Sequence, residues 1–363
     1  MSTLSLTAAL IVRNEERFIG ECLRSIEHAV DEIVVVDTGS SDETVAIARD
    51  FGARVLHFNW ADDFAAARNF SLESCETSWA LYIDADERLA GSSRFPLHKV
   101  LSTSWLAADV LFQPKVNYTR FRLTRLLRVD PRLTFSGEIH ETILPSLEAV
   151  AQSDENAIGL TTVEIDHVGY EGNLAAKHRR NLPLLNKCVA ANPQRVFYWF
   201  HLTETFLGLG RHKQAHAAGL KGILAAEQSG SEKSRVDAAM ICQMIATSML
   251  DRGKDPKALL QRGLGLHPGN FGLRLTLARR ELHYGDPLSS LEIARLLREI
   301  DPQSLLPGLI AYDRDIFGRH SLEMQVASLV KLRQFKEASE LIAESAPLLA
   351  PSPGVAAGGA NQG

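Results

Sequence analysis

Residues 32–44 read Glu-Ile-Val-Val-Val-Asp-Thr-Gly-Ser-Ser-Asp-Glu-Thr. Four consecutive apolar, mostly β-branched residues stand between acidic ends and are followed by a Gly/Ser turn. A strand without polar alternation needs cover on both faces, as in a parallel sheet flanked by helices. The same texture recurs at residues 4–12, 53–58 and 79–84, and helix-like segments at 15–28, 42–51 and 62–75 alternate with these runs. Strand–helix alternation of this kind predicts a parallel sheet built from right-handed crossovers. Ser40 or Ser41, ahead of Asp42-Glu43, is expected to open the second helix, with acidic residues near its positive end. Residues 108–116, 122–129 and 160–167 read as further strands, separated by loops carrying Pro114, Pro131 and Pro145, and are expected to extend the sheet in antiparallel fashion.

From about residue 175 the pattern changes to helical spacing throughout. Four weak repeats align on turns near Gly210, Gly253, Gly285 and Arg333. Five residues beyond these turns lie Ala215, Ala258, Ser290 and Ala338, and seven residues before them lie Thr203, Ala246, Ala278 and Val326. Paired helices with small residues at fixed offsets suit tetratricopeptide-like repeats, or otherwise an unrelated helical bundle. The expected division is residues 1–174, then 175–350, then a Pro/Gly/Ala-rich tail over 351–363 that is expected to be disordered.

The chain has 363 residues, 45% hydrophobic and 23% charged, with a net charge of −5. These values fit a soluble protein of more than one domain and argue against general nucleic-acid binding. The four cysteines are far apart, with no CxxC pair, so neither a zinc ribbon nor a disulfide framework is expected, and a reducing, cytoplasmic setting fits. No apolar run reaches the ~18 residues of a transmembrane helix.

Ligands of open parallel sheets bind beyond the carboxyl ends of the strands, so the residues placed there decide the chemistry. Ile11-Val-Arg-Asn-Glu-Glu16 ends the first run and places Arg13 and Glu15 at its tip. Asp37 ends the second. Trp60-Ala-Asp-Asp-Phe-Ala-Ala-Ala-Arg-Asn69 brings Arg68, whose forked donors suit phosphate or carboxylate. Tyr82-Ile-Asp-Ala-Asp-Glu87 brings Asp84-Ala85-Asp86, two carboxylates at the end of a buried run, on the same side if the strand continues. Mg²⁺ is usually bound by one or two carboxylates plus substrate phosphates. Leu133-Thr-Phe-Ser-Gly-Glu-Ile-His-Glu141 adds Glu138, His140 and Glu141 as candidate base and metal ligand, with His167 a second candidate ligand. Arg120, Arg122, Arg125, Arg128 and Arg132 form either the polar face of a strand or a holder for pyrophosphate or an anionic acceptor. Neither GxGxxG nor GxxxxGK[ST] follows the first run, which speaks against a dinucleotide dehydrogenase and a P-loop nucleotidase.

In this order, RNEE, VDTGSSDET, DDFAAARN, YIDADE, FSGEIHE and IDHVGY resemble a family 2 glycosyltransferase of the GT-A fold over residues 4 to about 170. The helical repeats make the chain similar to the tetratricopeptide-bearing branch, some of whose members glycosylate peptides or proteins, including bacteriocin peptides at sulfur. The resemblance implies an α/β domain with a Rossmann-like, mixed, mainly parallel sheet, followed by an all-α repeat domain. It implies an inverting transferase with a nucleotide-sugar donor, usually a UDP-sugar, and Mn²⁺ or Mg²⁺. Carried over by position, Asp37 meets the nucleotide base, Arg13, Glu15 and Arg68 line the nucleotide pocket, and Asp84-Ala85-Asp86 is the DxD motif. Asp86 then meets metal and diphosphate, and His140 matches the later metal-ligating histidine. Many family members use the aspartate of an (E/T)D pair as base. This chain departs from that pattern, and Glu138 is the substitute, with Glu141 in reserve. A peptide or protein acceptor, or self-association, is expected at the helical repeats. The rival readings are a sugar nucleotidyltransferase, which would need glycines in the loop at 11–16, and a non-catalytic repeat scaffold.

Overall fold

The computed structural model describes residues 5–152, 154, 156–169 and 174–345. The expected tail over 351–363 lies outside them, as does Tyr170 of the IDHVGY motif. The contacts divide the chain into two compact units, Met1–Ser234 with Leu306–Ala311, and Arg235–Leu305 with the chain from Tyr312 onward.

The first unit is built on an eight-stranded mixed sheet. Its strands are β1 (Leu6–Val12), β2 (Glu32–Asp37), β3 (Arg54–His57), β4 (Trp79–Tyr82), β5 (Glu87–Leu89), β6 (Ala107–Gln113), β7 (Phe121–Arg128) and β8 (Ile158–His167), in the order β3-β2-β1-β4-β7-β6-β8-β5. The half from β3 to β4 is parallel, as the unbroken apolar runs require. β7 enters antiparallel between β4 and β6. β8, however, runs parallel to β6, so the extension is not antiparallel throughout. The connection from β7 to β8 contains α5 (Leu144–Ala151) and passes β6, so β8 pairs on the far side of β6.

Side chains alternate between two cores, as the period of two demands. Leu6, Ala8, Leu10 and Val12 pack with Leu81 and Val110 on one face, under α1 (Ile19–Ile26) and α4 (Arg94–Leu101). Ala9, Ala80, Ala107 and Leu127 pack with Leu72 and Leu147 on the other, under α3 (Phe64–Glu73) and α5. Helix α2 (Thr44–Asp50) is opened by Asp42, whose Oδ1 accepts from the Thr44 amide at 3.1 Å. Ser40 and Ser41 are not its cap, because both are bound to Asn14 of the neighbouring loop.

The remainder is largely helical, as expected. Helices α6 (Leu174–Ala191), α7 (Val196–Gly208) and α8 (His212–Ser229) belong to the first unit. The second contains α9 (Glu232–Leu250, entering from the first unit), α10 (Lys257–Leu266), α11 (Phe271–Tyr284), α12 (Pro287–Arg298), α13 (Arg319–Lys331) and α14 (Phe335–Glu344). The turns near Gly210, Gly253, Gly285 and Arg333 separate α7 from α8, α9 from α10, α11 from α12 and α13 from α14. Thr203, Ala246 and Ala278 are buried before the turns, and Ala215, Ser290 and Ala338 after them. Ala258 is exposed and Val326 only half-buried, so the repeat is imperfect at those two offsets. Among the described residues no helix is long and apolar enough to cross a membrane.

Candidate functional site

The register of the parallel strands aligns Val12, Asp37 and His57 at one edge of the sheet. The loops leaving β1 and β2 interlock there. Asn14, at φ 57°, accepts from the Ser41 amide at 2.8 Å, while the Glu16 carboxylate accepts from the Glu43 amide at 3.1 Å. A cavity of about 420 Å³ opens beyond this edge, within the size range of ligand sites. Its wall brings together Arg13, Glu15, Arg68 and Asp84-Ala85-Asp86 from the sheet side. His140, Glu141 and His167 join them from the later segments.

Asp84 does not continue the strand. The chain turns at Ala85-Asp86, with the Glu87 amide donating to the Asp84 carbonyl at 2.9 Å and the Asp84 amide donating to Glu87 Oε2 at 2.9 Å. The two carboxylates consequently take separate partners. Asp84 is bound by Arg68 Nη2 and lies 3.4 Å from Arg125 Nη2. Burial alone would raise its pKa, but the two guanidiniums outweigh burial and hold the carboxyl well below the usual range. Arg125 also binds the buried Glu87, and Arg68 Nε donates to Glu141 Oε1 at 3.2 Å. Both guanidiniums lie over the Tyr82 ring, at 5.2 Å for Arg68 and 4.6 Å for Arg125. Burial, with Asp84 nearby, pushes Glu87 upward against the pull of Arg125. The other arginines of the 120–132 stretch are engaged with Thr161, Glu164, Asp166, Asp130 or the Trp105 carbonyl, so the stretch is chiefly an internally paired face.

Asp86 turns instead to His167, whose Nε2 is 3.1 Å from its Oδ2. Burial lowers the His167 pKa, but the bond to Asp86 outweighs it and the net shift is upward. The Val168 amide donates to the Asp86 carbonyl at 2.9 Å, and a Cβ on Gly169 would collide with the Asp86 carboxylate. Only glycine fits this approach of backbone to acid. The carboxylate beside the cavity is a donor of the kind Mg²⁺ and Mn²⁺ take, and the imidazole next to it is a donor for a transition-metal ion rather than for Mg²⁺. Among the described residues no group of three or more His, Cys, Asp and Glu is ready to hold a cation alone, so a ligand would have to supply further oxygens. This fits the way Mg²⁺ binds at phosphate-transferring sites.

Two expected site residues lie off the cavity wall, and a third reaches it but is engaged with another ring. Asp37 is buried and absent from the cavity wall, accepting from the Ser40 amide at 2.9 Å and facing His57 Nδ1 at 3.3 Å. Glu138 is also absent from the wall; its Oε2 is buried without a hydrogen-bond partner among the described residues, and its charge acts on Cys188 and Tyr198. His140 reaches the wall but stacks on His201 of α7, with ring centroids 3.5 Å apart, and burial drives its pKa well below the ordinary value. The imidazole at Asp86 is therefore that of His167. The sequence reading also missed Lys177, Arg180 and Asn181 of α6, and Trp60, Phe64 and Thr38, all on the wall. The helical spacing of 177 and 180 was visible; their docking against the sheet domain was not.

Glu15 carries the clearest pH signature. Burial first, then the charges of Asp86, Asp84 and Asp42, push it to about 7. The folded chain then keeps a proton that the unfolded chain releases above about 4.5, so this contribution to stability is full below 4.5 and is lost as pH rises through 7. Glu15→Gln is expected to raise Tm by a few degrees at pH 8, for about 1–2 kcal/mol after solvent screening, and to change it little at pH 4.5. Equal offsets at the two pH values, in paired thermal melts, would contradict the assignment.

Residues 7–144 match the family model described as "Glycosyl transferase family 2". A TPR repeat-containing protein of Synechococcus elongatus is 40% identical over 177 residues, covering 47% of this chain and 43% of that protein. The SPbeta prophage-derived glycosyltransferase SunS of Bacillus subtilis is 25% identical over 254 residues, covering 67% of this chain and 59% of SunS. Glucosyl-3-phosphoglycerate synthase of Mycobacterium tuberculosis, crystallised with Mn²⁺, UDP and glucosyl-3-phosphoglycerate, aligns with a TM-score of 0.39 and 16% identity, over 51% of this chain and 79% of that one. The chain spans roughly half the length of the curated relatives it matches. Its N-terminal part is a family 2 glycosyltransferase domain.

Proposed function

We propose that the chain transfers a sugar from a nucleotide-sugar, with a UDP-sugar the first choice, to a hydroxyl or thiol acceptor, with inversion and with Mn²⁺ or Mg²⁺ bound. The observation that carries this is the Asp86–His167 pair at 3.1 Å on the wall of the strand-tip cavity of a family 2 domain. Asp86 and His167 would hold the cation, which when bound neutralises charge on the diphosphate leaving group. Arg68 and Arg125 fix Asp84 and with it the turn that presents Asp86. Arg13 and Glu15 line the nucleotide end of the cavity in this reading, and Asp37 acts through the turn it holds. Glu141, on the wall where Glu138 is not, is the proposed proton acceptor for the incoming nucleophile. The helix pairs beyond residue 174 are the proposed platform for a peptide or protein acceptor, or for a second copy of the chain.

The test is a panel of nucleotide sugars with Mn²⁺, read as sugar release to water and as transfer to candidate peptides. Turnover of at least one donor is expected, lost with EDTA and restored by Mn²⁺. Turnover unchanged by EDTA would remove the metal from the mechanism; none with any donor would remove the transferase.

A further inference from the structure

We infer that Lys177 and Arg180, three residues apart on α6, form a phosphate-binding subsite that clamps the diphosphate of the donor. The inference rests on the transferase reading above and adds residues from beyond the matched family domain, which ends at residue 144. Residues i and i+3 share a helix face, and both side chains line the same cavity as Asp84 and Asp86. Their charges reach the site, since Arg180 acts on Glu15 and Lys177 on His140. In the sheet domain, Arg68 Nε and Nη2 and Arg125 Nη2 are already occupied by Asp84, Glu87 and Glu141, which leaves Arg68 Nη1 on the cavity wall. Among the described residues no carboxylate pairs with Lys177 or Arg180. Arg180 Nε donates only to the neutral Asn181 Oδ1, at 3.1 Å.

A second observation points the same way. Arg68 is buried and lines the cavity, yet its Nη1 has no hydrogen-bond partner among the described residues. A buried guanidinium nitrogen without an acceptor is costly, and an anionic ligand would satisfy it. The donor's diphosphate supplies several acceptor oxygens and two negative charges, and it gains a third as it leaves as the nucleoside diphosphate, one more than a divalent cation neutralises. Two exposed cations on the same cavity wall as Asp86 would meet the remainder, one of them through a guanidinium fork suited to phosphate. The functional site would then not end with the sheet domain, because α6 would supply part of its donor pocket.

The test uses the full chain and calorimetric titration with Mn²⁺ present. The probes are UDP, GDP and inorganic pyrophosphate, with uridine and guanosine as phosphate-free controls. Lys177→Ala combined with Arg180→Ala is expected to weaken pyrophosphate and the accepted nucleoside diphosphate about thirtyfold or more, and to leave nucleoside binding within about twofold. Arg180→Lys in the otherwise native chain should keep most of the affinity, and thermal melts without ligand should match the native protein. Diphosphate binding unchanged in the double variant overturns the subsite while leaving the transferase reading intact. A raised acceptor KM with unchanged diphosphate affinity overturns it too, by assigning the cations to an anionic acceptor. If the native chain binds none of the diphosphates, the transferase reading falls as well.

Discussion

Asp86→Asn is expected to lower kcat/KM for sugar transfer by about a thousandfold, or ~4 kcal/mol of transition-state stabilisation, while leaving Tm within a few degrees. Asparagine preserves the shape of the side chain and an acceptor for His167 but removes the charge that a divalent cation requires. Asp86 occupies a turn whose geometry is set by backbone bonds from Glu87 and Val168, and its side chain is 30% exposed, so the fold has little to lose. Mn²⁺-dependent binding of UDP should vanish with activity. The same assay separates the two imidazoles. His167→Asn is expected to follow Asp86→Asn. His140→Asn should retain metal dependence, with stability falling because the stack on His201 is lost. Activity of Asp86→Asn within tenfold of the native protein would remove Asp86 as the metal anchor, and loss of metal dependence in His140→Asn with retention in His167→Asn would restore the family's positional assignment.

What the sequence disclosed, and what it concealed, follows from how each residue is held. Residues 33–36 lie on a strand covered on both faces, and such strands show in any window as unbroken apolar runs; the parallel half of the sheet and its functional edge were therefore legible. Asp84 and Asp86 were legible as a pair because polar groups ending a buried run need a partner. Their division, one to arginines and one to His167, was not, because it depends on a turn at Ala85 closed by the side chain of Glu87. The loop at 133–141 was the least readable. Asn69 brackets Phe135 by two hydrogen bonds, of 2.7 and 3.0 Å, while Gly137 and His140 take positive φ values of 104° and 51°. Backbone in those regions has no regular period, so spacing alone could not tell that Glu138 would face Tyr198 and Cys188 while Glu141 faced the cavity. Lys177 and Arg180 showed only their helical spacing, since their place on the cavity wall comes from tertiary docking of α6.

Arg125→Met is expected to destabilise the protein by about 3–5 kcal/mol, measured by chemical denaturation near pH 8, an effect larger than that of any other single change proposed for this site. Arg125 is 6% exposed and Glu87 1%, and among the described residues nothing else pairs with the Glu87 carboxylate except the Asp84 amide. Without the guanidinium, Glu87 is a buried anion facing a second anion at Asp84, and the stacking on Tyr82 and Phe112 is lost with it. The sign of the pH dependence follows. Burial and Asp84 already push Glu87 upward, and removing Arg125 withdraws the force that opposes them. A carboxyl that stays protonated in the folded chain carries no buried charge below its folded pKa, so the cost of the substitution should shrink as pH falls from 8 toward 5. Adding Glu87→Gln to Arg125→Met should recover part of the loss at pH 8 and little at pH 5, because the amide replaces a group that acid has already neutralised. Asp84, still bound by Arg68, would account for what is not recovered. A cost for Arg125→Met that is the same at both pH values, or a second substitution that recovers nothing, would show that packing on Tyr82, and not charge on Glu87, is what Arg125 supplies.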